Sequence, residues 1–302
     1  MSGVITVDDL QKRYGDNVAV DGVSFSVHEG EIFGILGPNG AGKTTTVESL
    51  QGLRIPERGT MRVLGFDPLT ETRQLRPLIG AQLQASALPG RMRVAEALRL
   101  FAAFAPHPVD IDALLDRWQL TELRKRAFAD LSGGQRQRLF IALAFVNDPK
   151  LVFLDELTQG LDPQARRATW DLVREIRAGG TTVVLVTHFM DEAEFLCDRL
   201  AIIDRGKLIA LDTPQGLVDR LGLPVRVRFS TDVGDLGWLD TVERVERVSR
   251  RGAEVEVEGT GPVLALVAAA LVARGMTPED LRVERPTVED AFLALTGRTV
   301  RE

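Results

Sequence analysis

Cysteine, tyrosine and histidine are scarce in this chain of 302 residues, which has one cysteine, one tyrosine and three histidines. The lone cysteine, Cys197, cannot form a disulfide within the chain, and its helix-like context predicts a small buried side chain rather than a nucleophile. Long apolar runs are also missing, because the longest, residues 263–273, is well short of the roughly 20 residues that cross a bilayer. The start of the chain shows no secretory signal, so we expect a cytosolic protein without a transmembrane helix.

Neither sign of charge is in large excess, since the net charge is -6. Hydrophobic residues make up 44% of the chain and charged residues 26%, which is typical of a folded globular protein and excludes a disordered or fibrous one. A mildly acidic chain has no overall attraction to phosphate backbones. We therefore expect no nucleic-acid partner.

Short apolar runs alternate with segments of helical periodicity from residue 31 onward, a pattern typical of an α/β fold with a mostly parallel core sheet. The predicted buried strands are residues 31–36, 151–155, 182–187 and 199–204. Residues 4–27 and 59–65 have the pattern of further strands. They predict an antiparallel β layer that flanks the main sheet.

Two regions depart from this alternation. Apolar residues recur at helical spacing between residues 95 and 131 without a strand-like run, which predicts a helical subdomain at about 85–147. Residues 224–230 follow a helix-like segment and alternate like a half-buried strand. We therefore place a first domain at 1–222 and a small α+β domain at 223–302, whose last helix starts with a capping box of Thr287 and Asp290.

The most specific motif is a glycine-rich segment between a predicted strand and a predicted helix. Its glycines allow backbone N–H groups to converge on phosphate oxygens at the positive end of the helix, while Lys43 reaches the outer phosphates and Thr44 binds magnesium. A simple glycine-rich turn would need neither the lysine nor the hydroxyl. The segment is a Walker A loop, formed by Gly37, Pro38, Asn39, Gly40, Ala41, Gly42, Lys43, Thr44 and Thr45.

Two successive carboxylates, Asp155 and Glu156, follow another predicted parallel strand. Parallel sheets bind ligands at the carboxyl ends of their strands, and a P-loop needs a carboxylate there to hold magnesium. We therefore assign Asp155 to the metal and Glu156 to the general base that orients the attacking water. Without the P-loop, the same pair would be an acidic turn exposed to solvent.

A second helix start suited to anions lies shortly before the strand that carries Asp155. In isolation it would be an ordinary helix cap, but its position favours a functional role. Because the chain offers two such helix starts and one Walker lysine, we expect a second chain to complete each site. The residues are Ser132, Gly133, Gly134 and Gln135.

Together these motifs resemble the ATP-binding cassette family over roughly the first two thirds of the chain. The resemblance implies a P-loop ATPase fold whose cofactors are ATP and Mg²⁺. It also implies two subunits, in which the signature residues 132–135 of one close over ATP bound to the other. We therefore expect a homodimer that forms on ATP and parts after hydrolysis.

The resemblance implies roles for single residues that would otherwise be structural. Tyr14, which alone would be a turn or core residue, is similar to the aromatic residue that stacks on adenine. Gln84 is similar to the loop glutamine that contacts magnesium, with Gln82 as the nearby alternative. His188 is similar to the switch histidine that contacts the γ-phosphate, and residues 160–162 resemble the D-loop at the dimer interface.

One position departs from the family pattern, because Leu157 follows Glu156 where many cassettes have proline. Leucine frees φ and restores a backbone N–H donor. No catalytic group is lost, so we expect hydrolysis to be retained.

A single cassette followed by a short tail resembles the ATPases of ABC-2 permeases, including drug-resistance exporters. This implies ATP hydrolysis that drives a separate permease, peripheral attachment to the cytoplasmic face of the cell membrane, and export of a drug, lipid or other hydrophobic substrate. The alternative is a soluble non-transport ATPase that acts as an ATP-dependent clamp or regulator. A GTPase is disfavoured, because the sequence has no Asn-Lys-x-Asp motif for guanine.

Overall fold

The computed structural model describes residues 3–82 and 87–297, and the chain divides into two compact units between Pro214 and Gln215. The strands of the first unit are β1 (Gly3–Tyr14), β2 (Asn17–His28), β3 (Ile32–Leu36), β4 (Arg58–Val63), β5 (Ile79–Gln82), β6 (Leu151–Asp155), β7 (Thr182–Thr187), β8 (Arg199–Asp204) and β9 (Lys207–Asp212). Its helices are α1 (Lys43–Leu50), α2 (Thr72–Leu75), α3 (Val94–Ala102), α4 (Ile111–Arg117), α5 (Gly133–Ala144), α6 (Pro163–Ala178) and α7 (Met190–Leu196).

A six-stranded sheet forms the centre of the first unit, in the order β5-β6-β7-β3-β8-β9. The first five strands of this order run parallel, and β9 is antiparallel to β8. Every residue of β3, β6 and β7 is buried, as expected of parallel strands that are covered on both faces. The predicted α/β class with a mostly parallel core sheet is confirmed. The sequence pattern did not predict β5 and β9.

The predicted antiparallel layer is also present, as a sheet in the order β2-β1-β4. Its inward side chains share one core with the parallel sheet, and Phe25 of β2 stacks on Phe33 of β3 with ring centroids 5.2 Å apart. Such an aromatic pair adds about 1 kcal/mol beyond the area that it buries. The core therefore holds β3 firmly, and the loop after β3 starts from a fixed position.

Residues 87–147 contain α3, α4 and α5 with short 3-10 turns between them. Two segments of this region meet in an isolated β-bridge between Arg93 and Ala127. The helices pack through apolar side chains at helical spacing, and Trp118 contacts Phe145 with ring centroids 5.0 Å apart. This helical region lies between β5 and β6 in the chain, so it is inserted into the sheet topology without extending the sheet.

The second unit combines a four-stranded antiparallel sheet with helices. Its elements are α8 (Pro214–Leu221), β10 (Val225–Ser230), β11 (Val245–Arg251), β12 (Glu254–Gly259), α9 (Val263–Ala273), β13 (Arg282–Glu284) and α10 (Val288–Thr296), and its sheet order is β11-β12-β10-β13. Val227, Phe229 and Val257 form a core with Val267 of α9. The unit starts slightly before residue 223, where the sequence pattern places the domain boundary, because most of α8 belongs to it.

The last helix has the capping box that the sequence predicts. The N–H of Thr287 donates to Oδ2 of Asp290 (2.9 Å), and Oγ1 of Thr287 accepts from the N–H of Asp290 (3.3 Å). Gly297 ends the helix with φ 65° in the left-handed region. The cap satisfies backbone donors that the first turn would otherwise leave open, and it stabilises the helix by about 1 kcal/mol.

Cys197 is buried directly after α7, and burial raises the pKa of its thiol well above the ordinary value. A Cβ at Gly34 would lie 2.6 Å from the sulfur, so the thiol packs against the backbone of β3. The predicted small buried side chain is confirmed.

Helix length and polarity bear on membrane insertion. The longest helix that the structure describes, α6, has 16 residues and carries several charged side chains. Across residues 3–82 and 87–297, the helices are too short or too polar to span a bilayer.

Candidate functional site

Three neighbouring strands of the central sheet end at the same edge, and each is followed by predicted site residues. β3 leads into the glycine-rich loop, β6 ends at Asp155, and His188 follows β7. The three strands are adjacent and parallel, in the order β6-β7-β3. The carboxyl ends of parallel strands are where such sheets bind ligands. The topology thus gathers residues that are distant in the sequence.

The glycine-rich loop depends on two positions that exclude side chains. Gly42 precedes α1 with φ 100°, and a Cβ there would lie 2.1 Å from the carbonyl oxygen of Ala19 in β2. A Cβ at Gly37 would lie 2.1 Å from the carbonyl oxygen of Ile203 in β8. Only glycine fits both positions. The loop backbone can therefore pack tightly while the start of α1 presents N–H groups that suit phosphate.

Lys43 is the first residue of α1, and its side chain turns back over the loop. Its Nζ donates to the carbonyl oxygens of Gly37 (2.7 Å) and Pro38 (3.0 Å). Burial lowers the pKa of the Lys43 ammonium, and the charges of Glu156 and Asp155 act in the opposite direction. Because neutral carbonyls are weaker acceptors than phosphate, the ammonium is suited to exchange them for a phosphate group.

A cavity of about 390 Å³ opens over this loop and the start of α1. It gathers the predicted base, Glu156, with eight of the residues predicted to bind the nucleotide, namely Tyr14, Asn39, Gly40, Ala41, Gly42, Lys43, Thr44 and Thr45. Gly37 and Pro38 contribute through the carbonyls that hold Lys43. Asn17 and Ala19 of β2 also line the cavity and were not predicted. No local motif marks them, because they reach the cavity only through the pairing of β2 with β1.

Asp155 supplies a buried carboxylate beside Lys43 and Thr44. Burial and the charge of Glu156 raise the pKa of Asp155 to about 6, although Lys43 and a hydrogen bond from Thr44 act to lower it. Its Oδ1 is buried and accepts no hydrogen bond from the residues that the structure describes. A buried oxygen without a partner is unfavourable, and a hard divalent cation with oxygen ligands would satisfy it. Thr44 and Asp155 therefore fit a magnesium ion.

Glu156 is buried next to Asp155, and its Oε1 lies 3.1 Å from Nδ1 of His188. Its φ is 49°, in the left-handed region, and its N–H donates to the carbonyl oxygen of Val186 in β7 (2.9 Å). A non-glycine residue in this conformation carries strain of about 1–3 kcal/mol, which persists only where the surroundings enforce it. The structure therefore brings the predicted base and the predicted switch histidine into contact.

The signature residues begin α5 and line a different cavity. Ser132 and Gln135 form a capping box, in which the N–H of Ser132 donates to Oε1 of Gln135 (3.0 Å). Both residues and Gly134 line a cavity of about 250 Å³ together with Asp162, which caps α6. A Cβ at Gly133 would lie 3.3 Å from the side chain of Leu161, so the signature packs beside residues 160–162. Within one chain, the signature and the Walker A loop therefore line separate cavities.

Tyr14 ends β1 and lines the Walker A cavity with 42% of its surface exposed. Nζ of Lys12 lies 5.4 Å from the ring centroid, and the guanidinium carbon of Arg54 lies 5.9 Å from it. Arg54 is itself held by Glu48 at 2.6 Å. An exposed aromatic ring at a phosphate site offers a face on which a planar base can stack.

The predicted loop glutamine, Gln84, lies outside the described residues. The alternative, Gln82, is buried at the end of β5, next to β6 in the sheet. Leu157, which stands where many cassettes have proline, is buried directly after Glu156.

Comparisons with known proteins find relatives that cover nearly the whole chain. A family model described as ABC transporter matches residues 20–159. The Nod factor export ATP-binding protein I of Ralstonia nicotianae is 37% identical over 308 residues, which are 99% of this chain and 95% of the relative. The daunorubicin resistance ATP-binding protein DrrA3 of Streptomyces coeruleorubidus is 37% identical over 316 residues, covering 99% of this chain and 98% of the relative. A crystal structure of an ABC transporter cassette in its ADP conformation has a TM-score of 0.65 at 25% identity, covering 72% of this chain and 93% of that chain.

Proposed function

Because this chain belongs to the ABC transporter family, as an ATP-hydrolysing subunit that works with a membrane permease, we propose that it powers export through a separate permease of the ABC-2 type. The substrate that we propose is a drug, a lipid or another hydrophobic molecule. The observation that carries this proposal is the extent of the similarity. Relatives named for Nod factor export and daunorubicin resistance match 99% of the chain, including the unit after Pro214, whereas the solved cassette covers 72%.

The phosphates of ATP bind to the Walker A loop, residues 37–45, in this proposal. Backbone N–H groups at the start of α1 and the Lys43 ammonium supply positive charge at the cavity that the loop lines. Lys43 then exchanges its contacts with Gly37 and Pro38 for the outer phosphates. The support is the geometry of the loop, which keeps the ammonium beside the cavity.

We propose that Thr44 and Asp155 hold Mg²⁺, with Gln84 as a further ligand. The unpartnered buried oxygen of Asp155 and its proximity to Thr44 support this assignment. When bound, the ion would neutralise charge on the phosphates.

Glu156 is the proposed general base, and His188 the proposed contact to the γ-phosphate. Glu156 lines the Walker A cavity, so it lies where a water could attack the outermost phosphate. Its Oε1 lies 3.1 Å from Nδ1 of His188, which supports a role for both side chains at the same site. Positioning of this kind and electrostatic stabilisation do most of the work in phosphoryl transfer.

Each site is completed by a second copy of the chain, in a homodimer, with residues 132–135 of the partner against the nucleotide. The separation of the two cavities within one chain supports this, since the anion-binding start of α5 does not line the Walker A cavity. ATP would then join the two copies, and hydrolysis would release them.

Tyr14→Ala is expected to raise the KM for ATP about fivefold, because stacking on adenine contributes about 1 kcal/mol to binding. The kcat should change little, since the ring binds the ground state and the transition state equally. Steady-state ATPase rates against ATP concentration give both values. Tyr14→Phe keeps the ring and serves as the matched control. A KM that is the same for Tyr14→Ala and Tyr14→Phe would contradict adenine stacking.

Residues 1–222 form the nucleotide-binding domain in this proposal, and residues 223–302 form the small second domain. The helical subdomain, at about 85–147, is the proposed contact with the permease. Exposed apolar side chains at the end of α3 support a partner there, since Leu100, Phe101 and Phe104 are all more than a third exposed.

We propose that the chain is held at the cytoplasmic face of the cell membrane by its permease. Affinity capture of the tagged chain from gently solubilised membranes tests this, with mass spectrometry of whatever co-purifies and an untagged preparation as the control. We expect a polytopic membrane protein in stoichiometric amount. Recovery with soluble partners, ribosomes or DNA alone would contradict transport and favour an ATP-dependent clamp or regulator.

A further inference from the structure

A fully buried carboxylate lies behind the candidate site. Glu192 on α7 is completely buried, and so is Thr158, which follows Glu156 by two positions. Oε1 of Glu192 accepts hydrogen bonds from the hydroxyl of Thr158 (2.8 Å) and from the indole N–H of Trp170 (3.0 Å). None of the sequence motifs includes Glu192 or Trp170.

The burial of the Glu192 carboxylate is unfavourable for folding stability, so its presence needs another explanation. Within the described part of the chain, its Oε2 is buried without a hydrogen-bond partner. Apolar side chains of similar volume commonly stabilise a protein interior better than a buried carboxylate. The two bonds at Oε1 therefore point to a requirement for position rather than for stability.

Two contacts join the turn after β6, residues 156–158, to residues 188–192 after β7. The contact between Glu192 and Thr158 is the inner one. The outer contact joins His188 to Glu156 at 3.1 Å, and the His188 side chain is 25% exposed. In the proposed function, this outer contact opens when Glu156 turns to the attacking water and His188 to the γ-phosphate. The inner contact is fully buried, so it can persist and keep the two segments in register.

The backbone of Glu156 needs such support, because its φ of 49° lies in the left-handed region. Its N–H is fixed by the carbonyl oxygen of Val186, on the strand side of the turn. The Thr158 hydroxyl fixes the turn on the other side. Since strained conformations persist only where neighbours enforce them, loss of the Thr158 bond would let the turn relax and move the Glu156 carboxylate.

The inner contact is also tied to α6. Trp170 of α6 stacks on Phe195 of α7 with ring centroids 5.0 Å apart, and Arg166 of α6 bonds Asp191 of α7 at 3.2 Å. These contacts hold α7 against α6. They keep Glu192 in a fixed position next to the turn.

We propose that Glu192 is a positioning residue for ATP hydrolysis: through the Thr158 hydroxyl it holds Glu156 in its working geometry. The assignment rests on the proposed role of Glu156 as the base. Glu192 itself is buried behind the site, and it acts only through the turn.

Thr158→Val in the full-length chain removes the hydroxyl at nearly constant volume. We expect kcat to fall by about tenfold or more, because small displacements of a catalytic group are costly, while the KM for ATP stays within about twofold. Thr158→Ser restores the hydroxyl and is expected to recover most of kcat. A role in stability alone would not separate kcat from KM in this way.

Thr182→Val is the matched control. Thr182 is a buried threonine at the opposite end of β7, where its hydroxyl accepts one hydrogen bond from the N–H of Gly30 (2.9 Å). The variant loses one buried bond without reaching Glu156, so its kcat should stay within about twofold of wild type. Melting temperatures of both variants show whether their losses of stability match.

Glu192→Leu combined with Thr158→Val tests whether both residues act through one bond. If they do, the double variant has the kcat of the more impaired single variant, and the two losses do not multiply. Losses that multiply, a wild-type kcat for Thr158→Val, or equal losses for Thr158→Val and Thr182→Val would each overturn the role of Glu192.

The variant Glu156→Gln distinguishes a failure of the proposed role of Glu192 from a failure of the proposed role of Glu156 as the base. If Glu156→Gln retains turnover, then Glu156 is not the base and both assignments fail. If it abolishes turnover while Thr158→Val keeps the wild-type kcat, only the role of Glu192 fails.

Discussion

Glu156→Gln is expected to reduce ATP turnover by about a hundredfold or more, which is the usual contribution of a general base. Glutamine is nearly isosteric with glutamate but does not accept the proton from the attacking water. The change should not affect the hydrogen bond from the backbone N–H of residue 156 to the carbonyl oxygen of Val186, or the buried turn that follows. ATP binding should therefore persist, because the Walker A loop and Lys43 keep their geometry.

Without hydrolysis, the ATP-bound dimer should accumulate. Size-exclusion chromatography with ATP should show a dimer for Glu156→Gln and a shorter-lived one for the wild type, and the steady-state rate gives the loss of turnover. Glu175→Gln, on an exposed position of α6, is the control for the chemical change. A Glu156→Gln rate equal to that of Glu175→Gln would contradict the base assignment.

The parts of the site that the sequence predicts are those encoded by neighbouring residues. The spacing of Gly37, Gly42 and Lys43 between a strand and a helix predicts a phosphate loop, and Ser132 followed by two glycines predicts a helix start, which the structure has. The buried strands β3, β6 and β7 are mostly apolar along their length, so their pattern is also local. These features depend on backbone sterics and hydrogen bonding over a few positions.

The parts that escaped prediction depend on contacts between distant segments. Asn17 and Ala19 reach the cavity only through sheet pairing, and Glu192 meets Thr158 only because α7 packs behind the turn. β5 has only four residues, and β9 lies at the edge of the sheet with exposed or half-buried side chains, so neither has the length and burial of a central strand. Tertiary packing, rather than propensity, assigns such short or edge segments to a sheet.

Because the Walker A loop and the signature line separate cavities, we expect a second large effect, on the ATPase activity of mixed variants. Lys43→Ala removes the ammonium that we propose binds the phosphates, and Gly134→Asp puts a carboxylate at the proposed anion-binding start of α5. The aspartate suits a helix N-terminus electrostatically, which favours folding. Its Cβ would lie 3.3 Å from that of Ala165, a tight contact that a small shift of Ala165 relieves, and the melting temperature of the variant shows whether the chain folds. Each variant alone should hydrolyse ATP about a hundredfold more slowly than wild type or worse.

An equal mixture of Lys43→Ala and Gly134→Asp chains should regain activity, up to about a quarter of the wild-type rate, because half of randomly paired dimers have one intact site of two. That site combines the Walker A loop of the Gly134→Asp chain with the signature of the Lys43→Ala chain. ATPase rates measured across the mixing ratio, with two affinity tags to count mixed dimers, give the result.

Lys43→Ala mixed with Glu156→Gln is the decisive control, since both changes fall on the Walker side of the site. Every site in that mixture lacks either the ammonium or the base, so no activity should return. Recovery in this control, or none with Gly134→Asp despite mixed dimers, would contradict a site shared between two copies. Recovery confined to the first mixture would assign the signature of one chain to the ATP of the other, because no rearrangement within a single chain repairs either variant.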